Sequence, residues 1–523
     1  PSGPLHASFR ISADGERLIL SDPNGNIIDD VPPQPMEAEQ VWGRNPDGSD
    51  NWEFLNSASP GAPNSTITEL PKADPPTFSH QSGYFANPFT LLIQTELPDG
   101  RVHFTTDGSI PTEDSDELTS FIGVNPIPQN QVDLSFIDTN LPAVRQDERW
   151  QAPSGEVHTA RVIRARVFAD GYRPSTVVTH TYFIGSDFPE KYSLPIVSLA
   201  TDKENFFDPD SGIYVWGFNG NYTQRGREWE RLIQFSLFDH DGNPLYATDT
   251  GVRTHGNTTR SRPIKSIRFY ARDEYGLNYF EYPFFTTKHQ NKWDSFVLRN
   301  SGNDWDQAYF RDAFLAQLFI DTNVEVAHYQ PVVTYLNGEY WGLYNLRDRF
   351  TEEHVEVAYN LPEEEIIVLE DNGEIDHGEP GDEQLWFTIT DFLQSRSVLS
   401  DTDLAWVEDR MDLDSFFDMV IAHVYYRNTD WPGNNIKYFR KRTPDRSDGA
   451  PEVWDGRWRW MIVDADFGFG LDFDYVGGRE EGVHHNTLEM ALAENGPLWP
   501  NPPWSTLVLR RLMTNVNARN QFI

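Results

Sequence analysis

Arg427-Asn428-Thr429-Asp430-Trp431-Pro432-Gly433-Asn434-Asn435 decides how this chain reads. Before it, Ser415 to Tyr426 is apolar at helical spacing, and Pro432-Gly433 then forces a loop. A strand is expected at Ile436 to Arg440. A second one, Trp458 to Val463, delivers Asp464-Ala465-Asp466-Phe467-Gly468. Asp430 and Asn435 thus lie five apart on one loop, and a carboxylate pair follows the second strand. Residues two apart on an extended segment share a face. Asp464 and Asp466 are therefore expected to share one divalent ion, or one to bind it while the other supports it. The apolar flanks imply burial, and buried carboxylates are costly without a counter-cation.

Phosphoryl transfer asks for these parts: metal ligands, a carboxylate near the attacking hydroxyl, and cations on the phosphates. Taken singly, each spacing also fits a solvated turn with Asx hydrogen bonds. The order loop, strand, strand, carboxylate pair is what points to chemistry.

Around this stretch, residues 189–523 alternate strands with helices. Phe310 to Ile320 has helical spacing, and Val332 to Leu336 with Gly342 to Leu346 reads as a hairpin turning at Asn337-Gly338. The acidic runs at Pro362 to Glu365 and Glu370 to Glu383 read as solvated loops. Upstream, residues 71–77 are Pro-rich, and 1–66 and 78–184 read as strands and turns. "LILSDPNGNIIDDV" and "GRNPDGSDNWEFLNSASPGAPN", between Leu18 and Asn64, resemble the last strands of a lamin-tail-type β-sandwich. "HFTTDGSIPT" and "IRARVFADGYRPS" resemble the immunoglobulin-like domain appended to chitobiases and many exported enzymes, which implies a spacer or accessory module. The expected boundaries are 1–66, 71–188 and 189–523.

Of the 523 residues, 81 are acidic and 42 basic, a net charge of −39. Such a surface repels phosphate backbones, which argues against nucleic-acid binding. It suits solubility in salty or divalent-rich medium, and it suits a basic, Ser/Thr-rich protein substrate. With 34 Phe, 21 Tyr and 16 Trp, the chain can fill large cores. The absence of Cys excludes disulfides, thiolate metal sites and Cys nucleophiles. No apolar run is long enough for a membrane span. Both ends read as cut, residues 1–20 starting mid-pattern and the chain stopping inside an expected helix at Phe522-Ile523.

Residues 196–523 resemble the CotH kinase family, named for a spore-coat protein. The matching blocks, in order, are "GVRTHGNTTRSRPIKSIRFYARDEYG", "FVLRNSGNDWDQAYFRDAFLAQLF", "YLNGEYWGLYNLRDRF", "RNTDWPGNNIKYF" and "RWRWMIVDADFGFG". The resemblance implies two N-terminal all-β sandwich-like modules followed by an α+β atypical protein-kinase-like domain. It also implies a secreted or cell-surface bacterial enzyme that moves phosphate from ATP to Ser or Thr of exported proteins, with Mg²⁺ or Mn²⁺.

By the same resemblance, Asp430 is the catalytic Asp and Asn435 its metal-binding partner, and Asp464 and Asp466 are metal carboxylates of undecided rank. The Gly251 to Thr259 turn, with Asn257, is expected to cradle phosphates. Lys265 is expected to pair with them, and Arg253, Arg260 and Arg262 are further candidates. The family's Arg-Gly-Asn-Ser-Ser is altered here, with His255 in place of the Arg. Arg311 opens a helix, where a cation is disfavoured, so a specific partner is expected, Asp348 or a phosphate. Asp348 stands where the family often has Glu. Trp341, Tyr344 and Trp431 are candidates to flank adenine, against the plainer reading that they are core. Two alternatives stay open: a non-catalytic surface or matrix protein that binds partners through its β modules, and transfer of a nucleotidyl group from the same site.

Overall fold

A computed structural model of the chain describes residues 15–36, 40–55, 58–59, 61–64, 70–140, 150–285, 290–471, 484–496 and 500–523. Within the expected lamin-tail-like stretch it describes two antiparallel hairpins. Leu18–Ser21 pairs with Ile27–Val31, and Val41–Arg44 pairs with Trp52–Leu55. Residues 1–14, 37–39, 56–57, 60 and 65–66 of that 1–66 reading lie outside the described residues. Asp22 makes the first turn, accepting from the backbone N–H groups of Asn24 and Asn26 at 2.8 and 2.9 Å.

Between 71 and 188 a five-stranded sheet runs in the order Asp116–Glu117, Arg101–Thr105, Arg161–Phe168, Val178–Ile184, Gly83–Phe85, and its last pair is parallel. Ile163, Ala165 and Val167 alternate into one core with Leu91, Val102 and Tyr182. This module is joined to the next part of the chain by backbone. Ala160 N–H donates to Gly338 O at 2.7 Å, and Tyr340 N–H to His158 O at 2.9 Å. The buried Glu339 carboxylate accepts from the N–H groups of Asp133, Leu134 and Ser135 and from the Ser135 hydroxyl, at 2.6–3.0 Å.

The following part has two lobes. In the first, β1 (Ile196–Ala200), β2 (Arg231–Phe238), β3 (Pro244–Thr254), β4 (Ile267–Tyr270) and β5 (Ser295–Arg299) close a seven-stranded barrel. The remaining barrel strands are β7 (Tyr329–Leu336) and β8 (Glu339–Arg347); β6 (Glu325–Val326) belongs to the second lobe. The order is β1-β2-β3-β4-β5-β8-β7, with β7 returning parallel to β1 and every other pair antiparallel. Phe235, Phe269, Phe296 and Leu346 fill its interior. The β7–β8 hairpin turns at Asn337-Gly338 as expected, with φ of 49° and 87°, the left-handed pair that suits the twist of a hairpin.

The second lobe is a sheet in the order β6, β12 (Arg459–Ile462), β11 (Ile436–Lys441), β9 (Ile366–Glu370), β10 (Glu374–His377). Strand β9 reads Ile-Ile-Val-Leu because it is buried on both faces. Ile367 and Leu369 meet α3 (Gln384–Gln394) and α5 (Leu413–Tyr426) through Trp386 and Phe416. Ile366 and Val368 meet Val355 of α2 (Glu352–Tyr359). The acidic run Glu370 to Glu383, expected as a solvated loop, therefore supplies strand β10 and the last residue of β9, and Glu370 and Asp376 from it grip Lys437 at 2.8 and 2.6 Å. The helix expected at Phe310 to Ile320 is shorter, α1 (Arg311–Gln317). The chain as a whole is strand-rich with some helices. Among the described residues no helix is long and apolar enough to cross a membrane.

Candidate functional site

Helix α5 delivers the loop that carries Asp430. Asp412 caps its start, accepting from Ser415 N–H at 3.2 Å, and Arg427 ends it in a left-handed conformation with φ of 56°. The loop then folds on itself. Asn434 Nδ2 donates to Asp430 Oδ1 and Asn435 Nδ2 to Asp430 Oδ2, each at 3.0 Å. Burial pushes the Asp430 carboxyl up to about 6; the two amides oppose this, while Asp464 and Asp371 add to it by repulsion.

The carboxylate pair does not follow the extended geometry expected for it. Strand β12 ends at Ile462, and Asp464 turns with φ of 45°; Asn435 is likewise left-handed at 59°. Such backbone strain in non-Gly residues concentrates at functional sites. Between the two carboxylates, Ala465 N–H is anchored on Asp312 Oδ1 at 2.8 Å. Asp464 keeps 41% of its side chain exposed, whereas Asp466 keeps 1%. Asp466 Oδ2 accepts from Asn303 N–H at 2.7 Å, behind the cleft wall.

The shared position between the carboxylates is taken by a guanidinium. Arg299 Nη2 lies 2.5 Å from Asp464 and 3.5 Å from Asp466, and its Nε lies 3.5 Å from Asp312. Arg347 Nη1 donates to the same Asp312 oxygen, Oδ2, that Arg299 approaches. Burial works against the Asp312 charge, but Arg347 and Arg299 hold its carboxyl down at about 2. Burial opposes the Arg299 charge too, and Asp464, Asp312 and Asp466 outweigh it, so its pKa is raised. Asp466, buried beside Asp464, is pushed well above the carboxylate range.

Two clefts meet here. One, about 280 Å³, lies between the lobes with Val297, Ala327, Phe350, Ile462 and Val463 as apolar walls. The other, about 550 Å³, is bordered by the 254–260 turn. Asn435, Asp464, Arg299 and His255 border both, and Asp430 borders only the larger. Burial, with Arg268 and Arg299 nearby, lowers His255 to about 3, so it is neutral where the family's Arg was expected.

The remaining expected residues divide. Arg253 and Asn257 line the larger cleft. Lys265 does not: it is fully buried, donates from Nζ to Arg262 O at 2.7 Å and lies over the Tyr222 ring at 4.4 Å. Burial lowers it to about 7, and it borders neither of the two clefts. Arg311 does not pair with Asp348. Its Nε meets Asp304 Oδ1 at 3.1 Å, and its Nη1 donates to Gly468 O and Phe469 O at 3.0 and 2.8 Å. A cation at this helix start is thus paired with a carboxylate and pins the end of the Asp-Phe-Gly segment. Asp348 lines the smaller cleft and accepts from His328 N–H at 2.7 Å. Trp341, Tyr344 and Trp431 are packing residues, Trp431 stacked on His423 and Tyr344 bonded to Tyr214. Arg299, Asp312 and Arg347 had no assigned role in the sequence reading. The one signal was a charge closing an apolar strand, Phe296-Val297-Leu298-Arg299.

Among the described residues no group of three or more His, Cys, Asp or Glu side chains could hold a metal. A magnesium-type site needs less, since Mg²⁺ takes one or two protein ligands and completes its shell with phosphate and water oxygens. The Asp464 carboxylate and Asn435 amide, both hard oxygen donors on the cleft wall, fit that description.

The model of the family described as "CotH kinase protein" matches residues 252–523, just over half the chain, and that described as "Fn3 associated" matches 91–182. No curated protein matches. Among solved structures, extracellular domains 3–5 of Drosophila OTK show 10% identity over 39% of this chain and 74% of that one, with a TM-score of 0.11. By its family model the chain belongs to the CotH kinase protein family.

Proposed function

We propose that the chain is an atypical Ser/Thr protein kinase that transfers the ATP γ-phosphate to a protein hydroxyl with the help of Mg²⁺ or Mn²⁺. One observation carries this reading. Asp430, its two oxygens held by Asn434 and Asn435, faces only the larger cleft, while Asn435 and Asp464 border both. ATP then has its base between Val297, Ala327 and Phe350 and its phosphates at Asp464. The acceptor enters from the Asp430 side. Asn435 and Asp464 would hold the ion, which supplies charge neutralisation on the β- and γ-phosphates. Asp466 stays behind them as a support through Arg299. The acceptor oxygen bonds to the γ-phosphorus, the bond from that phosphorus to the β–γ bridging oxygen breaks, ADP leaves, and the hydroxyl proton passes to Asp430. A carboxyl near 6 is ionised at neutral pH and remains basic enough to take that proton.

We further place the protein outside a bacterial cell, secreted or at the surface. The acidic chain and the β modules upstream of the kinase-family domain support that setting. A second reading has a specific observation behind it. Arg299 already occupies the position between Asp464 and Asp466, as a non-catalytic scaffold presenting its β modules to a surface or matrix partner would keep it.

Incubation with γ-labelled ATP, Mn²⁺ and a Ser/Thr-containing protein separates these. Label transfer that disappears in Asp430→Ala supports the kinase, and transfer that persists in that variant sinks it. Label moving from α-labelled ATP instead assigns nucleotidyl transfer. No ATP-dependent thermal shift, with no transfer, assigns the scaffold.

A further inference from the structure

Net charge and local charge disagree in this molecule. The chain carries −39, yet the larger cleft is bordered by Arg225, Arg253, Arg260, Arg268, Arg299 and Arg349 against two carboxylates, Asp430 and Asp464. Some of this charge is spent. Arg299 serves three carboxylates, and Arg253, 3.7 Å from Glu230, shares it with Arg272, which is nearer at 2.8 Å. Arg268 is 3.7 Å from Asp294.

Among the described residues no carboxylate pairs with Arg225 or Arg260; Arg260 donates only to the carbonyls of Tyr222 and Gln224. Burial, and after it the nearby charges of Arg225 and Arg253, lower Arg260 to about 10. Arg253 and Arg268 are directly paired across β3 and β4, and both lie over the Tyr270 ring, at 4.3 and 4.6 Å. A narrow, low-dielectric cleft focuses such a field.

We propose that the acceptor of this enzyme is an acidic protein segment, with Asp and Glu flanking the reacting hydroxyl, and that Arg225, within the combined field of Arg253, Arg260 and Arg268, binds those flanking carboxylates. This rests on the kinase reading for the direction of entry, since Asp430 opens only onto the arginine-lined side. It runs against the basic substrate to which the whole-chain charge points. The nucleotide phosphates do not by themselves account for this charge, because Arg225 is exposed at the cleft edge.

The test is fluorescence anisotropy with labelled peptides in which one Ser is flanked by Glu or by Lys, on the full chain at about 150 mM salt, where long-range attraction is screened. It is run with a saturating non-hydrolysable ATP analogue and Mg²⁺. The Glu peptide is expected to bind at least about ten-fold more tightly than the Lys peptide. Arg225→Glu is expected to weaken it about five-fold or more and leave analogue binding within two-fold. Arg227→Glu makes the same charge change two residues away, outside the cleft and in an exposed pair with Glu274, and is expected to leave the peptide unaffected. Preference for the Lys peptide, equal loss in both variants, or displacement of the Glu peptide by the analogue overturns the proposal. Because binding is read without turnover, Glu-peptide binding with no transfer fails the kinase reading alone. Transfer to the Lys peptide in preference fails this proposal alone.

Discussion

Arg299 Nη2 sits 2.5 Å from Asp464 Oδ1, and the same guanidinium reaches Asp466 and Asp312. One cation at the end of β5 in the first lobe thus bridges three carboxyl groups, sharing Asp312 with Arg347. Removing one partner of a buried pair strands the others, at about 3–5 kcal/mol. Arg299→Met is expected to lose about that much stability in urea unfolding at pH 7. The loss should shrink as the pH falls and the stranded carboxyls take up protons. A loss independent of pH would mean that packing, not charge, is what Arg299 supplies.

Asp430 gives a test with opposite signs for activity and stability. Its folded carboxyl lies near 6, above its ordinary value of 3.8. A raised carboxyl contributes stability below the ordinary value and loses it as the pH rises through 6. Above pH 6 the wild type therefore carries an ionisation cost, about 1–3 kcal/mol at 1.36 kcal/mol per unit. In protein stripped of metal with EDTA, Asp430→Asn is expected to gain in Tm relative to wild type as the pH goes from 5 to 8. Phosphoryl transfer should fall by about 10²–10⁴. A pH-independent Tm difference would remove the case for a strained carboxyl.

Lys265 is the residue on which the sequence reading and the structure part most sharply. A phosphate ligand replaced by Met loses nucleotide affinity by an order of magnitude or more. A buried lysine over Tyr222 does not, and Lys265→Met is expected to change ATP-analogue affinity by less than about two-fold. Its amine lies near 7 when folded, below the ordinary lysine range. Between 7 and about 10 the unfolded chain binds the extra proton, so wild-type stability rises with pH there. The variant's stability advantage should be largest below pH 7 and gone by about pH 10.

What was legible in the sequence was local. Asp430 and Asn435 meet because Pro432-Gly433 folds five residues back on themselves, and five-residue spacing on a loop is visible in one dimension. Asn337-Gly338 made its hairpin for the same reason. Asp464 and Asp466 were found, but not their geometry, because alternation holds only while the strand lasts and β12 stops at Ile462. Arg299 with Asp464, and Arg311 with Gly468, join positions more than 150 residues apart. No spacing rule reaches that far. Lys265 misled because a lysine entering a strand after a glycine turn reads as a phosphate contact, and burial is a property of the closed barrel rather than of the segment.

The accessory module gives the last prediction. Glu339 lies just past the β7–β8 turn, yet its carboxylate accepts three backbone N–H groups and one hydroxyl from residues 133–135. Those donors belong to the upstream module, so one side chain couples it to the barrel. Glu339→Ala leaves three backbone donors without that acceptor at about 1–3 kcal/mol each, less what water recovers. Wild type is expected to melt the module and barrel in one calorimetric transition. Glu339→Ala should lower that transition by at least about 5 °C or split it in two, with faster proteolysis between 128 and 140. Unchanged cooperativity would make the module a passive spacer, and would return it to the role that its sequence resemblance implies.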